Sequence, residues 1–294
     1  RLKAAKTTQV PRELLRKLSM NIALRLEEAW QWVLQNEYEA HRILCWVMII
    51  SGTSAFVALF FITAPYGRHE TKSSAWGPKI PPKVAWTVME SPALFVPLYL
   101  LASEPPCMSL KSNCILLGLF AFHYANRAFI FPQRMRGGKP MPFSVMLMSF
   151  SFCAWNGYLQ GRHLTVFSCK GASDNADPRL TSAHFYIGVA LFLIGWSANY
   201  HSDSILRNLR KPGETGYKIP YGGLFEFVSG ANFAGETLEW IGFAVAAGTL
   251  PAFAFAFFTF CNLGPRAAAH HQWYLNKFKE QYPAKRTAFI PFLW

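Results

Sequence analysis

Seven long apolar segments restrict what this sequence can fold into. They cover residues 43–64, 84–102, 114–132, 143–160, 184–200, 232–249 and 251–268. A helix needs about 20 mostly apolar residues to cross a bilayer. Because 52% of the residues are hydrophobic and only 15% are charged, a soluble bundle with polar outer faces is disfavoured. We therefore predict an all-α, polytopic membrane protein with seven transmembrane helices in one bundle.

The distribution of Lys and Arg predicts how these helices are oriented. The connections after segments one, three and five, together with the C-terminal tail, hold 17 of the 29 basic residues, and the opposite-side connections hold four. Basic residues concentrate on cytoplasmic loops. We therefore expect the first set and the C-terminus in the cytosol, although the eight basic residues before segment one lie on the side that this rule does not favour.

The first 42 residues precede the apolar segments. Over residues 11–40, apolar side chains that include Ile22, Leu26 and Trp30 recur near helical spacing, which predicts an amphipathic helix at the membrane surface. Glutamates such as Glu27 and Glu28 are unusual in signal and transit peptides, so both are disfavoured. We divide the chain into an N-terminal helical extension, residues 1–42, and a membrane domain, residues 43–294.

Ionisable side chains inside apolar segments indicate a functional site, because burying them is costly. Glu90 lies seven residues, or ~10 Å of helix, beyond Lys83, and Tyr124 lies nine residues, or ~14 Å, before Gln133. The two side chains therefore have similar depths. Apolar surroundings favour a protonated carboxyl, and a neutral acid beside a phenol offers two donors to one carbonyl oxygen. The alternatives are an ion pair between Glu90 and Arg127 and an interfacial tyrosine.

A polar cluster near the cytoplasmic side predicts a nucleotide site. Asn232, Glu236 and Glu239 occupy positions i, i+4 and i+7, so one face of the sixth segment is polar. Basic residues upstream, such as Arg207 and Arg210, suit phosphates, although topology alone also places basic residues there. The sequence contains neither a Rossmann fingerprint nor a P-loop, so a nucleotide site must be built differently.

Two adjacent histidines raise the question of a metal. His270 and His271 lie near the end of the last segment, and no Cys or carboxylate stands at ligand spacing from them. We predict no metal site and a hydrogen-bonding role for these histidines.

Eight runs of the sequence resemble the steroid 5α-reductase family. They are residues 64–69, 86–92, 123–129, 201–214, 219–226, 232–240, 270–275 and 290–292. They follow in order and cover the chain from about residue 60 to the C-terminus, whereas residues 1–42 lie outside the resemblance. The resemblance implies a seven-helix, multi-pass enzyme of the endoplasmic reticulum membrane. Such an enzyme takes NADPH from the cytosol and reduces the C4–C5 double bond of a 3-oxo-Δ4-steroid, with hydride added to C5 and a proton to C4.

The resemblance also assigns residues. Family members hydrogen-bond the 3-keto oxygen through the residues that match Glu90 and Tyr124, in agreement with the donor pair inferred above. Twelve further positions would contact or support NADPH: Tyr66, Asn199, Asp203, Arg207, Arg210, Lys218, Asn232, Glu236, Trp240, His270, Tyr274 and Arg286. The family often has Arg at the position of Lys218. A lysine does not make the bidentate phosphate contact that an arginine makes.

Three alternatives stay open at this point. A membrane enoyl-CoA or polyprenol reductase shares the reaction class. A membrane lipid or isoprenylcysteine methyltransferase that uses S-adenosylmethionine has similar C-terminal helices. The third alternative is a transporter or sterol-binding protein that is not an enzyme. The donor pair Glu90 and Tyr124 favours a reductase, because a methyltransferase has no use for it. The expected partners are a steroid or sterol and the lipid bilayer, with no nucleic acid, and a monomer is compatible with the sequence.

Overall fold

The computed structural model describes residues 12–63, 67–69, 74–103, 111–169, 177–211, 214 and 216–294, and these are mostly helical. The chain divides into two compact units, residues 1–43 and 44–294. Two short strands, β1 (Lys79–Ile80) and β2 (Met141–Pro142), form an antiparallel pair.

Each segment predicted to span the membrane lies largely within helical structure. The α-helices of the described ranges are α1 (Arg12–Gln35), α2 (Glu37–Phe61), α3 (Pro82–Ser103), α4 (Lys111–Ala125), α5 (Phe131–Arg134), α6 (Phe143–Thr165), α7 (Ala183–Asn208), α8 (Ala231–Ala247) and α9 (Leu250–Phe278). A π-helical turn, Asn126–Ile130, joins α4 to α5. Short 3₁₀ turns include Gly67–His69 and Gly223–Glu226.

Three helical stretches are long and apolar enough to cross a membrane. Within the described ranges they are Glu37–Phe61, Pro82–Ser103 and Lys111–Arg134. The later helices carry more polar groups inside, and Asn156 and Gln160 of α6 are both buried. Length and apolarity thus identify a membrane protein and account for three of the seven predicted spans.

The N-terminal unit differs in detail from the single amphipathic helix predicted over residues 11–40. Helix α1 ends at Gln35, and α2 begins at Glu37 and continues into the first apolar segment. The amide N–H of Asn36 still donates to the Trp32 carbonyl, and that of Ala40 to the Asn36 carbonyl. The helical hydrogen bonding therefore continues across the junction, which is a local irregularity at Asn36.

Glycines bring α7 and α8 into backbone contact. A Cβ added at Gly195 would lie 2.2 Å from the backbone nitrogen of Glu239, and one at Gly235 would lie 2.5 Å from that of Asn199. Small residues at helix interfaces allow this close approach between apolar helices. The approach places the polar residues of α7 directly against those of α8.

Prolines and glycines shape the contact between α3 and α6. Pro92 has no N–H for the Val88 carbonyl one turn earlier, and the Ser91 hydroxyl donates to that carbonyl instead at 3.0 Å. A Cβ at Gly157 of α6 would lie 3.0 Å from the Pro92 carbonyl oxygen. The turn of α3 that carries Glu90 is therefore held close to α6.

An aromatic cluster fills the core between α4, α8 and α9. Trp240, which is 1% exposed, packs against Phe120, Tyr124 and Phe255, with ring centroids 5.7, 5.9 and 4.5 Å away. Aromatic pairs at these separations stabilise a core beyond their buried area. Tyr124 is consequently held by a rigid wall of rings.

We expect Gly195→Ala to destabilise the protein, because the new methyl group would meet the α8 backbone rather than a movable side chain. Overpacking of this kind costs about 1–3 kcal/mol or more, and a lower melting temperature in detergent would measure it. Gly118→Ala in α4 is the matched control, since nothing lies within 4 Å of its added Cβ. Equal melting temperatures for the two variants would contradict the proposed backbone contact.

Candidate active site

Arg127 lies at the point where three helices present carboxylates. Its guanidinium nitrogens lie 3.3 Å from Asp203 Oδ2, 3.4 Å from Glu236 Oε2 and 4.0 Å from Glu90 Oε1. The three acids belong to α7, α8 and α3 respectively. The Glu90–Arg127 ion pair considered from the sequence is thus present, and it is the longest of the three contacts.

The π-helical turn determines where Arg127 points. The Phe131 N–H donates to the Asn126 carbonyl, five residues earlier, and Pro132 follows with no N–H of its own. Such a turn interrupts the regular helical faces and often occurs at functional sites. It places the Arg127 guanidinium against the rings of Trp86 and Phe131, 4.8 Å from each centroid, where cation–π attraction holds it.

Helix α6 contacts both residues of the predicted donor pair. The Asn156 amide donates to the Tyr124 hydroxyl at 3.2 Å, and the Cys153 thiol donates to Glu90 Oε2 at 3.6 Å. Residues three apart lie on the same face of a helix, so Glu90 and Tyr124 meet neighbouring positions on α6. Tyr124 is 4% exposed and the Glu90 side chain 13%. The structure therefore brings the two side chains to one region of the interior.

The polar face predicted for α8 contacts two different partners. Glu236 faces Arg127, whereas Glu239 Oε1 lies 2.7 Å from His123 Nδ1. Both members of the second pair are buried, and Glu239 Oε2 has no hydrogen-bond partner among the described residues. The His123 ring also packs against the Tyr124 ring, with centroids 4.9 Å apart. The pair of His123 and Glu239 therefore lies directly behind the predicted donor Tyr124.

A cavity of about 570 Å³ opens beside Arg127. Basic side chains dominate its described wall, which contains a single carboxylate, that of Asp203. The Lys and Arg residues of the wall are Arg68, Arg127, Arg136, Lys139, Arg207, Arg210 and Arg266. A concave site lined by charges of one sign concentrates ligands of the opposite sign, so this cavity suits a polyanion.

Some buried nitrogens of the wall have no hydrogen-bond partner within the described part of the chain. Among them are Nη1 of Arg68 and Nε2 of His69. The Arg68 guanidinium lies 4.6 Å above the Tyr274 ring, and the His69 ring stacks on His270 at 5.5 Å. Burial, and then the charge of Arg68, lower the pKa of His69, which favours a neutral imidazole. Both groups are fixed by rings and can still bond to a ligand.

Five of the twelve predicted cofactor residues lie in the cavity wall. They are Asp203, Arg207, Arg210, Asn232 and His270. Two more stand directly behind the wall: the Asn199 amide donates to Glu236 Oε2 at 3.3 Å and to the Asn232 carbonyl at 2.9 Å.

Lys218 lies outside the described wall. Lys218 Nζ lies 2.5 Å from Glu214, which also accepts the Lys211 N–H. The hydrogen bond from Lys218, followed by that from Lys211, lowers the pKa of Glu214, so this exposed carboxyl is ionised. Tyr66 lies outside the described residues.

The last three predicted residues are buried supports. Trp240 packs behind Tyr124, and Tyr274 lies under Arg68. Arg286 donates to the Pro220 carbonyl at 2.8 Å. Through Arg286 the C-terminal tail holds the connection between α7 and α8, which supplies Gly216 and Tyr217 to the cavity wall.

The histidines near the end of α9 make hydrogen-bonding and stacking contacts. His271 Nδ1 lies 2.6 Å from the Ser229 hydroxyl. Across the described ranges, no group of three His, Cys, Asp or Glu side chains is arranged to hold a metal ion.

Sequence reasoning missed several residues of this region. Arg68, Arg127 and Arg266 all lie in the cavity wall. Asn156 and Gln160 of α6 are buried and bonded to each other beside Tyr124. The criterion applied to Glu90, a polar side chain inside an apolar segment, would have identified both amides.

The sequence is similar to one family of known proteins. Residues 139–294 match the family described as 3-oxo-5-alpha-steroid 4-dehydrogenase. The chain is 49% identical over 245 residues to 3-oxo-5-alpha-steroid 4-dehydrogenase 1 of Bos taurus, covering 82% of this chain and 92% of that protein. It is 48% identical to the human type 1 protein over 252 residues, 85% and 94% of the two chains. The human type 2 protein is 43% identical over 252 residues, 84% and 96% of the two chains.

Proposed function

We propose that this chain, which belongs to the 3-oxo-5-alpha-steroid 4-dehydrogenase family, reduces the C4–C5 double bond of 3-oxo-Δ4-steroids with NADPH. The chain is an oxidoreductase of steroid metabolism, and its product is a 5α-3-oxosteroid. One observation carries the assignment of the site. The wall of the basic cavity includes Arg127, and Arg127 lies 4.0 Å from Glu90. A dinucleotide in that cavity would therefore reach the region where Glu90 and Tyr124 meet α6.

The cavity residues fit NADPH. This cofactor carries a pyrophosphate and a 2′-phosphate, which call for several cations in one place, and the wall offers seven Lys or Arg side chains. Arg207 and Arg210 would bind phosphate, and Arg68 and His69 would supply the donors that they leave unused. The Asp203 carboxylate would accept hydrogen bonds from uncharged groups of the cofactor, and the Asn232 amide would accept or donate them. The bound cofactor supplies the hydride for C5.

Glu90 and Tyr124 would hold the 3-keto oxygen of the substrate. As hydride reaches C5, electrons move toward that oxygen, so donors placed there bind the transition state more strongly than the ground state. Tyr124 donates through its phenol and Glu90 through a neutral carboxyl. Among the three acids around Arg127, Glu90 is the farthest from the guanidinium, which makes it the least compensated as a carboxylate.

The cavity also supports the orientation that the basic residues predict. Arg68 follows the first predicted span, Arg136 and Lys139 follow the third, and Arg207 and Arg210 follow the fifth, yet all five line one cavity. The three connections thus share one end of the helices. We propose seven spans in an endoplasmic reticulum membrane, with that end and the C-terminus in the cytosol, so that NADPH enters from the cytosol. Residues 1–42 would form a separate helical extension of the membrane domain, residues 43–294.

Substrate-dependent NADPH oxidation tests the function directly. In detergent or in membranes, the purified chain should oxidise NADPH when testosterone or another 3-oxo-Δ4-steroid is added, with the 5α-product detected by mass spectrometry. An enoyl-CoA, a polyprenol aldehyde and S-adenosylmethionine serve as comparison substrates for the other reaction classes. Activity on one of these, without steroid reduction, would overturn the proposal.

Neutralising Arg210 should weaken NADPH binding more than it slows the reaction. A phosphate anchor contributes nearly uniform binding, so Arg210→Met should raise the KM for NADPH more than it lowers kcat. The preference for NADPH over NADH should fall with it. Arg134→Met is the matched control, because Arg134 pairs with Tyr200 and lies outside the cavity wall. Equal kcat/KM for NADPH and NADH in the unchanged protein would show that Arg210 and its basic neighbours in the wall do not recognise the 2′-phosphate.

Tyr124→Phe should act on kcat. It removes one donor and keeps the ring, and loss of a donor to a developing oxyanion costs on the order of 10²–10³ in rate, or ~3–4 kcal/mol. Glu90→Gln should retain more activity than Glu90→Ala, because an amide still donates a hydrogen bond. NADPH affinity should barely change in any of the three. If kcat stays near that of the unchanged protein while only the folded yield falls, Glu90 is a structural partner of Arg127 and the donor pair is wrong.

A further inference from the structure

A chain of buried amides leads from the backbone of α9 to Tyr124. Gln160 Nε2 lies 2.9 Å from the Pro251 carbonyl oxygen and 3.1 Å from Asn156 Oδ1, and Asn156 Nδ2 lies 3.2 Å from the Tyr124 hydroxyl. Asn156 and Gln160 are 0% and 1% exposed. Buried amides of this kind must be satisfied by protein partners, because no bulk solvent reaches them.

The Pro251 carbonyl fixes the direction of every hydrogen bond in this series of amides. The Pro251 carbonyl can only accept, so Gln160 must turn its NH₂ group toward it. The same NH₂ group faces Asn156, which must therefore present its oxygen to Gln160. Its own NH₂ group is left for Tyr124. The Tyr124 oxygen thus accepts a hydrogen bond, and its proton is directed away from α6.

We propose that Gln160 and Asn156 are positioning residues that aim the Tyr124 proton at the ketone oxygen. The inference rests on the proposed role of Tyr124 as a donor to the 3-keto group. A hydroxyl that accepts a hydrogen bond is polarised into a better donor, because bonds in a chain strengthen one another. Asn156 would therefore improve the donor as well as orient it, and Gln160, which does not touch Tyr124, would act only through Asn156.

Gln160→Glu should reverse the direction of the hydrogen bonds between residues 160, 156 and 124, with almost no change in side-chain shape. A neutral carboxyl has a single proton, and the Pro251 carbonyl requires it, so Glu would offer Asn156 only an acceptor. An ionised carboxylate would offer only acceptors on both sides. In either form Asn156 must rotate its amide and present its oxygen to Tyr124. The Tyr124 proton would then bond to Asn156 and would be lost to the substrate.

The decisive experiment measures Gln160→Glu in two backgrounds, with Tyr124 present and with Tyr124→Phe. With Tyr124, kcat should fall roughly 10-fold or more, up to the loss caused by Tyr124→Phe itself, with the KM for NADPH unchanged. In the Tyr124→Phe background, Gln160→Glu should have no further effect on kcat, since groups that act through one another are non-additive. Gln160→Met loses both hydrogen bonds without reversing the chain, so it should keep more activity than Gln160→Glu.

Asn113→Asp is the control for putting an acid in place of a buried amide. Asn113 donates to the Leu164 carbonyl and accepts from Arg179 near the start of α4, eleven residues before Tyr124. It should change thermal stability and leave kcat as it is. If Gln160→Glu does not fold, Asn156→Leu measured in the same two backgrounds gives the same comparison.

The outcomes separate this inference from the function on which it rests. An equal loss of kcat in both backgrounds, or no loss in either, would show that Gln160 and Asn156 are structural only, while steroid reduction and Tyr124 would stand. An unchanged kcat for Tyr124→Phe alone would remove the donor role of Tyr124 and this inference with it.

Discussion

The contact between Arg127 and three carboxylates is the interaction on which the arrangement of the site depends. A charge held inside a protein is tolerated only when it is paired and hydrogen-bonded, and a planar guanidinium with five donors can serve several carboxylates at once. Asp203, Glu236 and Glu90 come from α7, α8 and α3, so the position of Arg127 fixes three helices relative to the π-helical turn. A lysine at this place has one small charged group and could not also lay a planar group against both Trp86 and Phe131.

Close helix packing is what allows so polar an interior in so apolar a chain. The glycines of α7 and α8 bring the two backbones together, and Asn199 can then reach both Glu236 and the Asn232 carbonyl. A larger residue at Gly235 would separate the helices and leave these groups without partners, at the cost of unsatisfied buried polar atoms. The same glycines that weaken hydropathy as a membrane signal therefore make the site possible.

Local pattern was enough to locate the helices and to expect Glu90 and Tyr124 in one region, because both follow from the rise of a helix and from apolar length. It was not enough for Arg127. A basic residue near a helix end is expected from topology alone, and nothing nearby in the sequence shows that three distant acids converge on it. The bond between Lys218 and Glu214 was not predictable either, because it lies on a connection outside the helices, where a spacing of four residues does not bring side chains together. The junction at Asn36 has no strong breaker, and the sequence could not separate α1 from α2.

The layers around Tyr124 would let one bundle keep the proposed phosphate-binding region apart from the proposed hydride acceptor. Cations line the cavity, and one of them, Arg127, lies 4.0 Å from Glu90. The partners that α6 offers to Glu90 and Tyr124 are uncharged: the Cys153 thiol meets Glu90, and the Asn156 amide meets Tyr124. Neutral donors aimed at a charge that grows during the reaction act mainly on the transition state, which is where binding energy accelerates a reaction.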